Sequence, residues 1–296
     1  MVIATAANTI PMTQSSGPQG PGGCLAYHSI THCGLVRSQN EDAFCVHEST
    51  SSAFRTRYMI AVADGLGGHE SGEVASRTAL EAAAAEFEGW PGGAPERFVS
   101  RAVRRANDEV FSATHQRPEW HNMQTTLTCV ALEGETLAVG HVGDCRLYRL
   151  RNTRTELLTR DHTMAMDLMN LHLISPEDAA EHPGRYQLTR AVGGEPFLRI
   201  DISKEKVMPG DTYLLCSDGL WAQVAPEALE KSMHEQDLAA ACETLKDLSL
   251  ASGAPDNLTA VIFRINTVET PPAPAPSFWR SLGRHKNLQK GLCAND

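Results

Sequence analysis

The chain has 296 residues and a formal net charge of −10, from 36 acidic against 26 basic residues. This excess of acid argues against a protein that binds nucleic acid through a broad basic surface. Hydrophobic residues make up 42% and charged residues 21%, as in an ordinary globular protein. No apolar run approaches the roughly 18 residues that a membrane span needs, and the N-terminus lacks the basic segment of a secretory signal. We therefore expect a cytoplasmic protein without a membrane span.

Composition divides the chain into three parts. Residues 1–23 are rich in Thr, Ser, Gly, Pro and Gln, which predicts a flexible N-terminal lead. Residues 24–266 are predicted to form a single folded domain. Residues 267–296 begin with a proline and alanine spacer, and the basic tail that follows is predicted to be disordered. The eight cysteines include no CxxC pair, which favours buried free thiols over a zinc site.

Apolar periodicity within the folded part predicts both strands and helices. Their order, in which runs of strands alternate with pairs of helices, is not the regular βαβ alternation of a doubly wound sheet. We therefore predict an α+β fold with layered antiparallel sheets. In chain order the predicted elements are strands at 24–33, 43–48 and 58–63, helices at 72–87 and 95–115, strands at 125–132, 136–142, 145–150 and 211–216, helices at 226–233 and 236–251, and a strand at 258–265.

The glycine-rich stretch "VADGLGGHESGE" admits two hypotheses, a phosphate loop or a metal site. A phosphate loop needs a lysine after its second glycine, and the nearest frame here, from Gly67 to Gly72, is followed by Glu73. The dinucleotide-binding pattern also fails, because Glu70 stands where the third glycine belongs. These departures favour the metal hypothesis.

Four acids stand at the ends of apolar strands. Asp64, Asp144 and Asp218 close such strands, and Asp256 precedes the last one. Each alone could be a turn residue, a cap, or half of an ion pair such as Asp144 with Arg146. Together they indicate a site for hard cations such as Mg²⁺ or Mn²⁺, which prefer carboxylate and carbonyl oxygens.

Seven motifs in order connect these acids to a known family. They are "RSQNEDAF", "VADGLGGHESGEVAS", "GHVGDCRLYRL", "LTRDHT", "LTRAVGG", "LLCSDGLW" and "DNLTAVIF". The set resembles the metal-dependent protein phosphatases, the PPM or type 2C family, and especially their compact bacterial members. The resemblance covers nearly all of residues 26–265. It implies a two-layer antiparallel β-sandwich flanked by helices (α-β-β-α), with a metal cleft at one edge and a variable flap at about 162–189.

The resemblance also implies a binuclear Mn²⁺ or Mg²⁺ centre. Asp64 would bridge both ions, the Gly65 carbonyl would bind one, and Asp218 and Asp256 would complete the other. Asp144, together with Asp218, matches the ligands of a possible third ion in bacterial members.

Three further residues receive roles by resemblance. Glu41 and Asp42 would hold metal-bound waters, and Arg37 would grip the phosphate, which suits its planar, bidentate guanidinium. Many eukaryotic members carry a histidine directly after the Asp-Gly pair, whereas this chain has Leu66. His69 is a weak candidate for the missing proton donor, since it could equally be a capping or packing residue.

The function implied by the resemblance is hydrolysis of phosphoserine and phosphothreonine on proteins, by a water that two metal ions activate. The expected partners are phosphorylated proteins and a cognate bacterial Ser/Thr kinase, and the expected state is a monomer. Two alternatives stay open at this point. One is a non-catalytic regulatory binding module of the same fold, and the other is a hydrolase of small phosphoesters.

Overall fold

The computed structural model describes residues 14–16, 23–51, 54–67 and 71–268. Within them the chain forms two antiparallel sheets. The strands in chain order are β1 (Gln14–Ser16), β2 (Leu25–His32), β3 (Asp42–Ser51), β4 (Phe54–Leu66), β5 (Gln124–Thr125), β6 (Leu127–Glu133), β7 (Thr136–Val142), β8 (Arg146–Arg151), β9 (Arg154–Leu157), β10 (Asp201–Lys206), β11 (Thr212–Cys216) and β12 (Leu258–Ile265).

The helices of the described part lie outside the two sheets. They are α1 (Ser71–Glu88), α2 (Pro95–Thr114), α3 (Met164–Asn170), α4 (Pro176–Glu181), α5 (Asp218–Trp221), α6 (Pro226–Met233) and α7 (Leu238–Ala251). Ser175 and Asp178 form a capping box at the start of α4, as a serine followed by proline predicts for a helix start. None of the helices in these ranges is long and apolar enough to span a membrane.

The two sheets stack face to face. One has the strand order β1-β2-β12-β11-β8-β9 and the other β10-β7-β6-β4-β3. Helices α1 and α2 pack on the second sheet, and α7 packs on β2 and β12 of the first. The predicted fold, a two-layer antiparallel sandwich flanked by helices, is therefore confirmed.

Strict alternation along the strands produces three apolar layers. On β4, Met59 and Ala61 face α1 and α2, whereas Tyr58 and Ile60 face the opposite sheet. The helix layer approaches the second sheet closely where the residues are small. A Cβ on Gly140 of β7 would lie 3.1 Å from the Val99 Cβ of α2, closer than side chains normally pack.

The predicted elements agree with the structure to within a few residues. The predicted strand 125–132 is divided into β5 and β6, and three strands, β1, β9 and β10, were missed. β9 and β10 carry mostly charged or exposed side chains, so they lack the apolar alternation that reveals a strand. β1 lies within the predicted N-terminal lead, where Ser15 pairs with Ser29 of β2. Among the helices, α3 and the single turn of α5 were missed, whereas α4 begins where Ser175 and Pro176 predict a helix start.

Candidate metal centre

The predicted ligands come from chain segments that meet at one edge of the sandwich. Asp42 opens β3 directly opposite Asp64 on β4, so the antiparallel register itself places these two acids side by side. Ser217, at the end of β11, donates a 2.7 Å hydrogen bond from Oγ to Asp42 Oδ2. Asp218 follows and begins α5. Strands of both sheets therefore deliver carboxylates to the same cleft.

Glycines allow these segments to approach each other closely. The Gly65 N–H donates to the Glu41 carbonyl at 3.2 Å. A Cβ on Gly65 would lie 2.1 Å from the Gly72 carbonyl oxygen, and a Cβ on Gly72 would lie 2.6 Å from the Glu41 carboxylate. The turn that bears Glu41, the Asp64–Gly65 pair and the start of α1 interlock only because both glycines lack a side chain.

Asn257 fixes the segment that carries Arg37 and Glu41. Its Oδ1 accepts from the Glu41 N–H at 2.8 Å, and its Nδ2 donates to the Gln39 carbonyl at 2.8 Å. Arg37 Nη2 lies 2.7 Å from Asp256 Oδ2, in a pair that is largely open to solvent. The predicted phosphate-binding arginine therefore stands beside a predicted metal ligand.

Trp221 connects Asp144 to the helix of Asp218. Its indole N–H donates to the Asp144 carbonyl at 3.0 Å. The Arg146 guanidinium lies over the indole ring, 3.4 Å from the ring centroid, and forms hydrogen bonds with both carboxylate oxygens of Asp161. Arg146 therefore pairs with Asp161 and not with Asp144, which rules against the simple ion-pair interpretation of Asp144.

Burial and mutual repulsion act on the carboxylates of the cleft. Burial, followed by the charges of Asp42, Asp218, Asp144 and Asp256, raises the pKa of Asp64 well above its ordinary value. Burial, opposed by the Ser217 hydrogen bond, raises the pKa of Asp42 to about 7. Burial and then the charge of Asp256 raise the pKa of Asp218 to about 6. These are acids whose ionised forms lack sufficient positive charge nearby.

The donor set fits divalent cations. Asp42 and Asp144 are only 2% and 4% exposed, and Asp42 Oδ1 is buried without a hydrogen-bond partner among the described residues. Buried carboxylates are normally paired with cations or bound to metals, and Arg37 supplies one positive charge against several acids. No three His, Cys, Asp or Glu side chains in these ranges already form a coordination shell. The roles of the individual ligands therefore remain predictions.

The structure brings together the predicted site residues that it describes, namely Arg37, Glu41, Asp42, Asp64, Gly65, Asp144, Asp218 and Asp256. His69 lies outside the described residues. Sequence reasoning missed the positioning contacts of Asn257, Ser217 and Trp221. Asn257 and Ser217 adjoin predicted ligands, which is the one signal that could have identified them. The contact of Trp221 with Asp144 joins residues 77 positions apart, so it depends on the tertiary fold.

Comparison with known proteins gives consistent matches. The sequence model of the family described as protein phosphatase 2C matches residues 36–260. The serine/threonine protein phosphatase PstP of Mycobacterium tuberculosis is 35% identical over 241 residues, which are 80% of this chain and 44% of PstP. The chain thus spans less than half the length of that relative. The serine/threonine phosphatase stp of Listeria innocua is 29% identical over 81% of this chain and 95% of its own length.

Solved structures agree with the sequence matches. The catalytic domain of PstP in complex with two manganese ions superposes with a TM-score of 0.72 and 33% identity, over 82% of this chain and 99% of that one. The family match spans most of the described part, and the fold and the acidic cleft agree with it. The chain belongs to the protein phosphatase 2C family.

Proposed function

We propose that this protein is a metal-dependent phosphatase that hydrolyses phosphoserine and phosphothreonine on proteins. The observation that carries the proposal is the convergence of buried carboxylates at one edge of the sandwich, with Arg37 beside them. Two divalent cations bound there, Mn²⁺ or Mg²⁺, would neutralise phosphoryl charge and activate a water for in-line attack. PstP, a relative of this chain, binds two manganese ions in its solved structure.

The proposed ligand roles follow the resemblance to the family. Asp64 is proposed to bridge the two ions, the Gly65 carbonyl to bind one of them, and Asp218 and Asp256 to complete the other. Asp144, with Asp218, is proposed to hold a third ion. Trp221 would help to position Asp144, because its indole N–H donates to the Asp144 backbone carbonyl.

Other side chains are proposed to handle the substrate and the solvent. Arg37 would bind phosphate oxygens, and its pair with Asp256 opposes this only weakly because exposed ion pairs contribute little. Glu41 and Asp42 would accept hydrogen bonds from waters in the cleft. Leu66 has no proton to give the leaving group, so protonation falls to a water or to His69.

The test is hydrolysis of a phosphothreonine peptide by purified protein in EDTA, Mg²⁺ or Mn²⁺. We expect activity only with metal, and none from Asp64→Asn or Asp218→Asn. Asp247→Asn is the matched control, because Asp247 is an exposed acid of α7 to which no metal-binding role is assigned. Saturating Mn²⁺ should also raise the melting temperature, as ligand linkage requires.

The outcomes separate the alternatives. Folded protein that binds Mn²⁺ but hydrolyses no phosphoester in any metal would favour a regulatory binding module. Strong preference for small phosphoesters or nucleotides over phosphopeptides would favour a small-molecule hydrolase. Activity that persists in EDTA would overturn the assignment of the metal centre.

We further propose a cytoplasmic monomer that opposes a Ser/Thr kinase. Residues 24–266 would be its catalytic domain, residues 162–189 the flap beside the cleft, and residues 267–296 a tail without a catalytic role. Contacts with the domain continue slightly further, since the Thr267 N–H donates to the Cys24 carbonyl at 3.4 Å and Val268 packs on the core between the sheets.

A further inference from the structure

Two adjacent apolar side chains are exposed directly beside Arg37. Leu35 is 63% exposed and Val36 is 72% exposed. A single exposed leucine or valine is common on protein surfaces. Here the two are neighbours in the chain and immediately precede the arginine that we assign to the phosphate. We call them the Leu35–Val36 surface.

The backbone holds this surface in place. Gly34 adopts a φ of +77°, and a Cβ there would lie 2.3 Å from the Asp256 carbonyl oxygen. The Gly34 N–H donates to His32 Nδ1 at 3.0 Å, and the Leu35 N–H donates to the Ala254 carbonyl at 2.9 Å. The loop is thus tied to the segment that carries Asp256 while its side chains point to solvent.

The surface lies within reach of any peptide whose phosphate is held by Arg37. Consecutive Cα atoms are about 3.8 Å apart, so the Cα of Leu35 lies at most about 7 Å from that of Arg37. An extended peptide advances about 3.3 Å per residue. A side chain one to three positions from the phosphorylated residue can therefore reach the surface. A third exposed apolar side chain, Leu66, follows Gly65 on β4 and is 37% exposed.

The apolar surface and the site beside it determine which neighbouring side chains of the substrate fit there. Glu41, Asp64, Asp218 and Asp256 line the site, and the charges of Glu41, Asp64 and Asp256 all act on Arg37. Arg37, once it is paired with the phosphate, would not be free to pair with an acidic side chain of the substrate. An acidic neighbour in the substrate would lose water on the Leu35–Val36 surface without gaining a partner. An apolar neighbour would instead bury hydrocarbon there.

We propose that the Leu35–Val36 surface selects the residues beside the phosphorylated side chain, so that phosphopeptides with an apolar neighbour are preferred over those with an acidic one. The inference rests on the proposed function and adds a substrate class to it. The occupant is the polypeptide of the substrate, because a small phosphoester held by Arg37 has no chain that could reach Leu35.

The experiment compares matched substrates on matched variants. The substrates are three phosphothreonine peptides that differ only in carrying Leu, Ser or Glu on both sides of the phosphothreonine, and p-nitrophenyl phosphate. The variants are Leu35→Ser, Val36→Ser and the double substitution. Leu157→Ser is the control. Leu157 is 40% exposed on β9, at the far edge of the sheet that contains β2, the strand that precedes Leu35.

We expect the wild type to hydrolyse the leucine peptide with a kcat/KM roughly tenfold or more above that of the glutamate peptide. The double variant should lower kcat/KM for the leucine peptide roughly 5- to 20-fold, which is within the range of small apolar contacts. Hydrolysis of p-nitrophenyl phosphate should stay unchanged in all variants, and Leu157→Ser should match the wild type on every substrate.

A wild-type enzyme that treats the three peptides alike, or a double variant that slows all substrates equally, would overturn the inference. Anisotropy with fluorescent versions of the peptides tests the surface independently of turnover. If the protein hydrolyses no peptide, the proposed function fails. The inference then stands only if the leucine peptide binds more tightly than the glutamate peptide and the double variant removes that difference, and it falls if the difference is absent.

Discussion

The space between the two sheets and the acidic edge of the same sheets differ sharply in what they bury. Between the sheets, Tyr213 and Phe263 stack with ring centroids 4.9 Å apart and are fully buried. At the edge, Asp42 and Asp144 are buried almost as completely. Burial stabilises the aromatic pair and destabilises the ionised acids.

The same strands supply both regions. β4 contributes Ile60 to the space between the sheets and Asp64 to the edge, and β12 contains Phe263 and follows Asp256. Packing between the sheets therefore has to offset the free-energy cost of burying the ionised acids whenever no cations are bound. Such local instability is typical of functional sites. This difference predicts that substitutions at the edge mainly lower activity, whereas substitutions between the sheets mainly lower stability.

The largest effect should come from the edge. Asp218→Asn removes a proposed ligand, and we expect the kcat/KM for a phosphothreonine peptide to fall by roughly 10³-fold or more, as for loss of a principal electrostatic contact. The same substitution removes a repelling charge, so in EDTA its melting temperature should equal or exceed that of the wild type. Substantial metal-dependent activity in the variant would contradict the assignment.

Substitutions between the sheets should instead lower the stability of the fold. Phe263→Ala leaves a cavity between the sheets, and we expect it to lower the free energy of unfolding by about 3–5 kcal/mol. Denaturant unfolding measures this loss. The variant should keep an Mn²⁺-induced rise in melting temperature while it remains folded. A loss below about 1 kcal/mol would mean that the interior collapses around the cavity more readily than close packing allows.

The buried histidine pair His141 and His162 provides a test that depends on pH. Burial, and then the charge of His162, lowers the pKa of His141 to about 3, although Asp201 opposes the shift. The unfolded chain takes up a proton near pH 6.5 and the folded chain does not, so the free energy of unfolding should fall as pH drops from 6.5 toward 3. One such group contributes about 1.4 kcal/mol per pH unit.

The measurement compares the wild type with His141→Gln, in saturating Mn²⁺, across this pH range. The glutamine keeps polar atoms for Thr128 and the Arg160 carbonyl, which contact the imidazole in the structure. We expect a shallower fall in the variant. Equal slopes for the two proteins would show that His141 does not account for the acid sensitivity.

Trp221→Phe tests whether the hydrogen bond to the Asp144 carbonyl contributes to metal binding at the edge. The phenyl ring can still lie beneath Arg146, but it cannot donate to the Asp144 carbonyl. Groups that orient metal ligands typically matter 10- to 100-fold in metal affinity. We expect about tenfold more Mn²⁺ for half-maximal thermal stabilisation. Trp120→Phe is the control, because Arg117 lies over the Trp120 ring in the same way, 4.4 Å from the centroid. An equal change in both variants would point to a general packing effect.

The smallest effect should come from the tail. Truncation after Val268 keeps the contacts that the structure describes, and we expect turnover of p-nitrophenyl phosphate within about twofold of the full chain because the proposed site lies in residues 37–256. A collapse of this activity would assign the tail a part in the active enzyme.

The sequence predicted the interior of the fold better than its periphery. β7, α6 and β12 lie where the apolar pattern places them, because each of them buries at least one face. β9 and β10 are edge strands with charged residues, which also discourage pairing with other chains. Their charges hide the strand period, so only the tertiary structure reveals them.

The acidic residues of the site could be predicted from the sequence, whereas the residues that position them could not. Asp64, Asp144, Asp218 and Asp256 could be found because each adjoins an apolar strand, and the resemblance gave them roles. The hydrogen bonds of Ser217, Asn257 and Trp221 join distant parts of the chain, and a local sequence pattern does not indicate such contacts. Arg37 was predicted as a phosphate ligand, and its contact with Asp256 became visible only in the structure.

The pairing of β2 with β12 has a consequence for synthesis in the cell. These neighbouring strands come from opposite ends of the folded part, and the hydrogen bond between Thr31 and Thr259 joins residues 228 positions apart. Asp256 and Asn257, which complete the cleft, arrive with the same late segment. A nascent chain therefore cannot assemble the centre until β12 has left the ribosome. Chains released early should be inactive and short-lived, rather than weakly active phosphatases.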